Sequence, residues 1–143
     1  MTSDVIPDQS SAFGERVRRR LTEEQVVWLT TVGRDGTPQP NPVWFLWDGD
    51  DGILIYTLST AKRLSHIQRN PQVCLHFNSN ARGGDVIILT GTAEILDQPS
   101  VVANSEYREK YDEGIERVSG SAEAFAAEYS VPVRVRVTHT RGF

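Results

Sequence analysis

The sequence predicts a mainly β domain with inserted helices, a small barrel of six mostly antiparallel strands. Three observations carry this. Runs rich in β-branched and aromatic residues recur along the chain, as in VVWLTTV (26–32) and VIILTGTAEIL (86–96). Turn signals separate such runs, among them Asp35-Gly36. In the last run Val131, Val133, Val135 and Val137 share one strand face while Arg134 and Arg136 share the other. Six strands in a flat sheet would leave two open edges, and closure into a barrel removes them.

The elements follow in order. Residues 1–12 are polar and carry Pro7, which predicts a flexible N-terminal arm, with a single domain over 13–143. A helix is expected from Phe13 to Arg20, and Thr22 followed by Gln25 has the spacing of a capping box for one further turn. Val26 to Val32 is the first strand, and a hairpin through Gly33-Arg34-Asp35-Gly36-Thr37 leads to a second over Gln39 to Trp47. Proline donates no N–H, so the Pro40-Asn41-Pro42 end belongs at an edge or bulge, with backbone groups left for a ligand.

A turn over Asp48 to Gly52 starts the third strand, in which Ile53, Ile55 and Thr57 alternate with Leu54, Tyr56 and Leu58. Lys62 and Arg63 open a segment of helical period, with Leu64, Ile67 and Gln68, that ends at Asn70-Pro71. Val73 to Phe77 is the fourth strand and Val86 to Leu96 the fifth, with Gly91 marking a bulge or strong bend. One helix is expected over Ser100 to Arg117, with Val101, Val102 and Tyr107 on its apolar side, and a second over Ala122 to Tyr129, before the final strand.

Composition excludes several classes of function. The chain has 143 residues, 38% hydrophobic and 24% charged, with no apolar run long enough for a membrane span. A net charge of −4 argues against a general nucleic-acid binder, which needs a basic face. The cluster Arg16, Arg18, Arg19 and Arg20 precedes Glu23 and Glu24 and reads as a solvated helix face. MTSDVIPDQSS lacks the basic-then-apolar order of a secretory signal, and the single cysteine, Cys74, fits a reducing compartment, so a cytoplasmic protein is expected. No G-x-S-x-G, H-E-x-x-H, P-loop or G-x-G-x-x-G motif is present. No catalytic side chain is assigned.

The most informative stretch runs from Gly52 to Phe77. Hydroxyls at Thr57, Ser59 and Thr60, a helix start after Ala61, and the cations Lys62 and Arg63 converge on one corner, where they favour a phosphate. The same hydroxyls could instead cap the helix. The two cations oppose the helix dipole, which makes a purely structural role less comfortable. Trp44 is read either as core or as a stacking surface for a ring, and Asn41 either as a polar contact or as a turn former. Tyr107 and Tyr111 have normal packing spacing and could also line a substrate mouth. Cys74, His76 and His66 supply three metal-ligand types without a fourth, so no metal site is assigned.

WLTTVGRDGTPQPNPVWFLWDG (28–49), YTLSTAKRLSHIQRNPQVCLHF (56–77), GTAEILD (91–97) and FAAEYSVPVRVRVTHTRGF (125–143), taken in order, resemble the pyridoxamine 5'-phosphate oxidase-like split-barrel superfamily. Within it they are similar to the small actinobacterial F420-dependent oxidoreductases of the B type. The resemblance implies a homodimeric FMN-binding-type split barrel with two cofactor sites at the subunit interface. It puts the phosphate end of a flavin or deazaflavin at Thr57, Ser59, Lys62 and Arg63, with Tyr56, Thr60 and Ala61 in the same corner. The ring is implied to lie along Asn41, Pro42, Val43 and Trp44. Arg141 in the terminal THTRGF is read either as reaching the partner subunit's site or as part of a solvent-facing end.

Flavin oxidases of the superfamily often bring an arginine and a lysine to the flavin from the second strand. NPVWFLW has neither, which tips the implied cofactor from FMN to coenzyme F420. The expected activity is hydride transfer from reduced F420 to a small, electron-poor organic acceptor. Its rivals are an FMN-binding oxidoreductase on the same barrel and a cofactor-binding protein without turnover.

Overall fold

Residues 5–143, the part described by the computed structural model, fold around one curled sheet. The elements are α1 (Ala12–Glu23), β1 (Val27–Val32), β2 (Pro38–Val43), β3 (Leu46–Trp47), β4 (Gly52–Thr57), α2 (Lys62–Arg69), β5 (Gln72–His76), β6 (Ile87–Ile95), α3 (Ser105–Lys110), α4 (Asp112–Ser119), α5 (Ala122–Glu128) and β7 (Val131–Gly142).

The strand order is β2-β1-β5-β6-β7-β4-β3, with every pairing antiparallel. The second strand expected over Gln39 to Trp47 is in fact two strands at opposite edges of the sheet, so the count is seven rather than six. Only Trp44 and Phe45 join them, so the two edges lie close together and the sheet curls into a split barrel. The prolines explain the break. Pro38, Pro40 and Pro42 cannot donate to a second neighbour, and β2 pairs only with β1, through Thr30 opposite Pro40 and Trp28 opposite Pro42.

Inside the curl, alternate residues of β1, β4, β5, β6 and β7 form one apolar core with Val17 and Leu21 of α1 and Ile67 of α2. Gly91 marks a bulge. Thr90 pairs with His139 and Gly91 with Val137, so Thr138 is the extra residue. The shift reverses the inward phase of β7: Val133, Val135 and Val137 point inward before it, whereas His139 and Arg141 stay exposed after it. A Cβ on Gly91 would collide with the Arg136 carbonyl oxygen, so the bulge requires glycine there.

Four further expectations change. Residues 5–11 are not a loose arm: Ile6 is buried in the core, and Arg18 donates to the Pro7 and Ile6 carbonyls. The expectation for residues 1–4 lies outside the described residues. Thr22 caps no new turn, because α1 runs on to Glu23 and the Thr22 hydroxyl donates to the Arg18 carbonyl. The long helix over Ser100 to Arg117 is two helices, α3 and α4, meeting at Tyr111. The basic run of α1 is tied inward, since Arg16 and Arg20 pair with Asp85 and Arg20 also with Glu24.

The helices between β6 and β7 make a second apolar cluster. Tyr107, Tyr111, Ile115 and Phe125 pack against Tyr56 and Trp44 on the outside of the barrel. Among the described residues no helix is long and apolar enough to cross a membrane.

Candidate functional site

Two cavities meet at the start of α2. The first, about 280 Å³, lies between the barrel edge and the helical insert. Pro42, Val43 and Trp44 line it from the edge crossover, Tyr56, Thr57 and Leu58 from the end of β4, and Tyr107, Val118, Phe125 and Tyr129 from the insert. Ala61 and Arg63 close one end and also belong to the second cavity, an open polar groove of about 900 Å³. That groove adds Lys62 and His66 from α2, Arg34 and Asp35 from the hairpin turn, and Gln39 and Asn41 from β2.

Local sequence explains the corner. Asn70-Pro71 ends α2, and at its other end Ala61 is the N-cap with no side-chain hydrogen bond to the first turn. The capping reading of Thr57, Ser59 and Thr60 therefore does not hold. First-turn N–H groups are left beside two cations, an arrangement that suits an anion.

Thr57 is 2% exposed, and its Oγ1 has no hydrogen-bond partner. Arg63 is half-buried, and burial pushes its guanidinium below the usual arginine range, with the neighbouring Tyr129 opposing that shift. Among the described residues no carboxylate pairs with it. An unpartnered buried hydroxyl and a partly desolvated cation without a carboxylate partner, both lining one cavity, fit a polar, anionic guest.

The aromatic wall is rigid. Trp44 stacks on Tyr111 at 4.6 Å between ring centroids and on Phe125 at 5.7 Å, both nearly parallel, so protein rings already occupy much of its surface. The Tyr111 hydroxyl accepts from the Phe45 N–H at 2.8 Å and lies 2.7 Å from the Gln25 carbonyl, pinning the crossover between the two sheet edges. Burial pushes the phenols of Tyr107 and Tyr111 well up, so both stay neutral donors. Asn104 donates to the Tyr56 hydroxyl at 3.0 Å.

Of the residues expected from sequence, Pro42, Val43, Trp44, Tyr56, Thr57, Ala61 and Arg63 line the first cavity, and Asn41 and Lys62 line the groove. Ser59 and Thr60 are exposed and line neither. Arg141 sits on the outer face of β7 opposite Ile88, away from both cavities of its own chain. Trp47 packs against the main core and not the cavity. Sequence reasoning missed Leu58, Val118, Phe125 and Tyr129, and the groove residues Arg34, Gln39 and His66. The i, i+4 pair Phe125 and Tyr129 was the available signal, since it marks one aromatic stripe on a short helix. Among the described residues no three His, Cys, Asp or Glu side chains gather as a metal site.

Over residues 13–138 the sequence matches the family described as pyridoxamine 5'-phosphate oxidase. A pyridoxine/pyridoxamine 5'-phosphate oxidase 2 of Hydrogenovibrio crunogenus is 32% identical over 66 residues, which make up 46% of this chain and 31% of that protein. The chain thus aligns with about a third of that relative's length. Among solved structures, an F420 reductase superposes with a TM-score of 0.68 at 24% identity, over 87% of this chain and 94% of its own. General Stress Protein 26 of Bacillus anthracis does so with a TM-score of 0.65 at 19% identity, over 88% and 89%. These structural likenesses concern the fold.

Proposed function

This chain belongs to the pyridoxamine 5'-phosphate oxidase family, and from that premise we propose that it is a flavin- or deazaflavin-type oxidoreductase that uses reduced coenzyme F420 to reduce an electron-poor organic acceptor. The observation that carries the proposal is the unpartnered Thr57 Oγ1 in the aromatic cavity, with the half-buried Arg63 guanidinium where that cavity meets the basic groove. A flat ring with polar edges and a phosphate on a short tether has the chemistry to satisfy both. The neighbour named as an F420 reductase shares the fold and agrees with this choice.

A bound deazaflavin supplies hydride from its reduced ring. The chain's own residues bind, orient and exclude water. Pro42, Val43 and Trp44 would face the ring, and Tyr107, Phe125 and Tyr129 would close the cavity from the insert side. Thr57 would donate its free hydroxyl hydrogen, while Lys62 and Arg63 would neutralise the phosphate. The proposed share of the protein in catalysis is proximity: ring and acceptor held at near-contact.

FMN is the second reading, and the family match favours it. Against it, β2 reads Pro-Gln-Pro-Asn-Pro-Val and brings no cation to the ring. The proposal includes a homodimer. Five of the six β2 residues are exposed beside the cavity, a surface that a second copy would cover, with Arg141 contributed across the interface. Titration of the purified chain with F420 and FMN separately, followed by oxidation of reduced F420 against quinones, enones and nitroaromatics, tests the whole. F420 binding with acceptor-dependent oxidation is expected. Tight FMN binding without F420 binding transfers the assignment to FMN, and F420 binding without turnover reduces it to a binding protein.

A further inference from the structure

We propose that His66 belongs to the anion-recognition set of the groove, with Nδ1 held by Thr31 and Nε2 donating to a phosphate oxygen of the ligand. The inference rests on the reading of this groove as the phosphate end of the cofactor site. Its geometry is specific. His66 Nδ1 lies 2.8 Å from the Oγ1 of Thr31, a side chain only 1% exposed. That bond fixes the ring plane and leaves Nε2, the opposite nitrogen, as its free polar edge. His66 lines the groove, and among the described residues no protein group bonds Nε2. A histidine whose inner nitrogen is clamped and whose outer nitrogen faces a cation-lined groove is built as an oriented donor.

The charges around it couple its protonation to the ligand. Lys62 and Arg63 lie one turn back on α2, Arg69 lies in the same last turn, and Arg34 and Asp35 face the groove from the hairpin. The Asp35 carboxylate is held low by hydrogen bonds from Thr37, so it is an anion at neutral pH. β6, the other strand packed on α2, carries one charged residue, Glu94, exposed on the outer face. A bound phosphate favours the imidazolium beside it, and by linkage a protonated His66 strengthens binding. Affinity for a phosphate-bearing ring falls as pH rises through the imidazole range, while affinity for the same ring without phosphate does not.

The test uses the full chain with F420, FMN and riboflavin as probes. NMR titration of the imidazoles, of which the sequence has three, is assigned with His66→Gln and run with and without each probe. Binding of the phosphate-bearing probe is expected to move the His66 titration to higher pH. The ratio of affinities at pH 5.5 and pH 8.0 is expected to be about three- to tenfold larger in the wild type than in His66→Gln. Titration of the ring itself appears equally in the variant and cancels. Thr31→Val, which removes the clamp, should reduce the ratio as well, and Thr31→Ser should keep it. Should His66→Gln fold poorly, assignment by elimination with His76→Gln and His139→Gln lets the wild-type NMR shift decide alone. A phosphate-dependent affinity with an unmoved His66 titration overturns the role of His66 and leaves the groove reading intact. Equal affinity for FMN and riboflavin, with no F420 binding, overturns both.

Discussion

Thr57 shows how one residue separates folding from function. Its hydroxyl is buried at the end of β4 without a partner, a condition that costs about 1–3 kcal/mol in typical mutational data. Thr57→Val removes the hydroxyl and keeps the branched shape. The unliganded protein should gain on the order of 1 kcal/mol by urea denaturation, while the cofactor binds about three- to tenfold more weakly. A variant with both stability and affinity unchanged would mean that the hydroxyl has no ligand to meet. Arg63 and Lys62 allow a graded comparison. Arg63 is half-buried and Lys62 exposed, and charged contacts are stronger where water is excluded. Arg63→Gln should cost about 2–3 kcal/mol of binding and Lys62→Ala about 1 kcal/mol, read by fluorescence titration at fixed salt.

Elements act on the site through their crossings. α4 approaches Trp44 at Gly114, where a Cβ would lie 2.6 Å from the indole Cη2 and 3.0 Å from Cζ2. The indole cannot yield easily, because Tyr111 and Phe125 stack on it. Gly114→Ala gains up to about 1 kcal/mol of helix propensity, against about 1–3 kcal/mol of overpacking. A net loss of about 1 kcal/mol is expected, with a shifted tryptophan emission and weaker cofactor binding as the indole moves. α3 carries Lys110, whose ammonium donates to the Phe45 carbonyl at 2.8 Å and sits over the Phe45 ring at 3.8 Å.

Burial pushes Lys110 down to about 8, with Glu24 opposing. Between that value and the ordinary lysine range the unfolded chain binds more protons, so stability rises with pH through this window. Below about pH 8 both states are protonated and the penalty is constant. Lys110→Met should flatten the rise between pH 8 and 10, by on the order of 1 kcal/mol once solvent screening of the partly exposed group is allowed for. Above pH 10 the raised phenols of Tyr107 and Tyr111 act in the opposite direction, because the unfolded chain loses those protons first. Denaturant midpoints of both proteins at pH 7.5, 9 and 10 measure the difference.

At the scale of the whole molecule, the sheet edges bear on assembly. The covalent link Trp44-Phe45 brings β2 and β3 together, yet β2 keeps an exposed outer edge blunted by three prolines. Under the proposed function that edge is covered by a second copy. Sedimentation analysis at micromolar concentration should give a dimer. An Asn41→Arg change at the edge should weaken the dimer and cofactor binding together, and a monomer that binds cofactor normally would remove the interface from the proposal. Much of this plan was legible beforehand. The strands of alternating valine and isoleucine, the Gly91 bulge, the α2 boundaries and the proline-bearing edge are local patterns, and each was read from its own residues. The break at Trp44-Phe45, the split of the long helix at Tyr111 and the outward phase of Arg141 were not, because each depends on a partner far away in the chain.

The sequence by itself determined the barrel class, the family likeness and the corner where Thr57, Lys62 and Arg63 converge, because strand alternation, turn chemistry and helix ends act over a few residues. Tertiary structure alone decided which side chains share a cavity. It brought Phe125 and Tyr129 into one cavity with Trp44, set Ser59 and Thr60 in solvent, and clamped His66 with Thr31 across 35 residues of chain. Those outcomes depend on how the helical insert packs against the edge crossover, and that packing is a sum of long-range contacts that no local window of sequence contains.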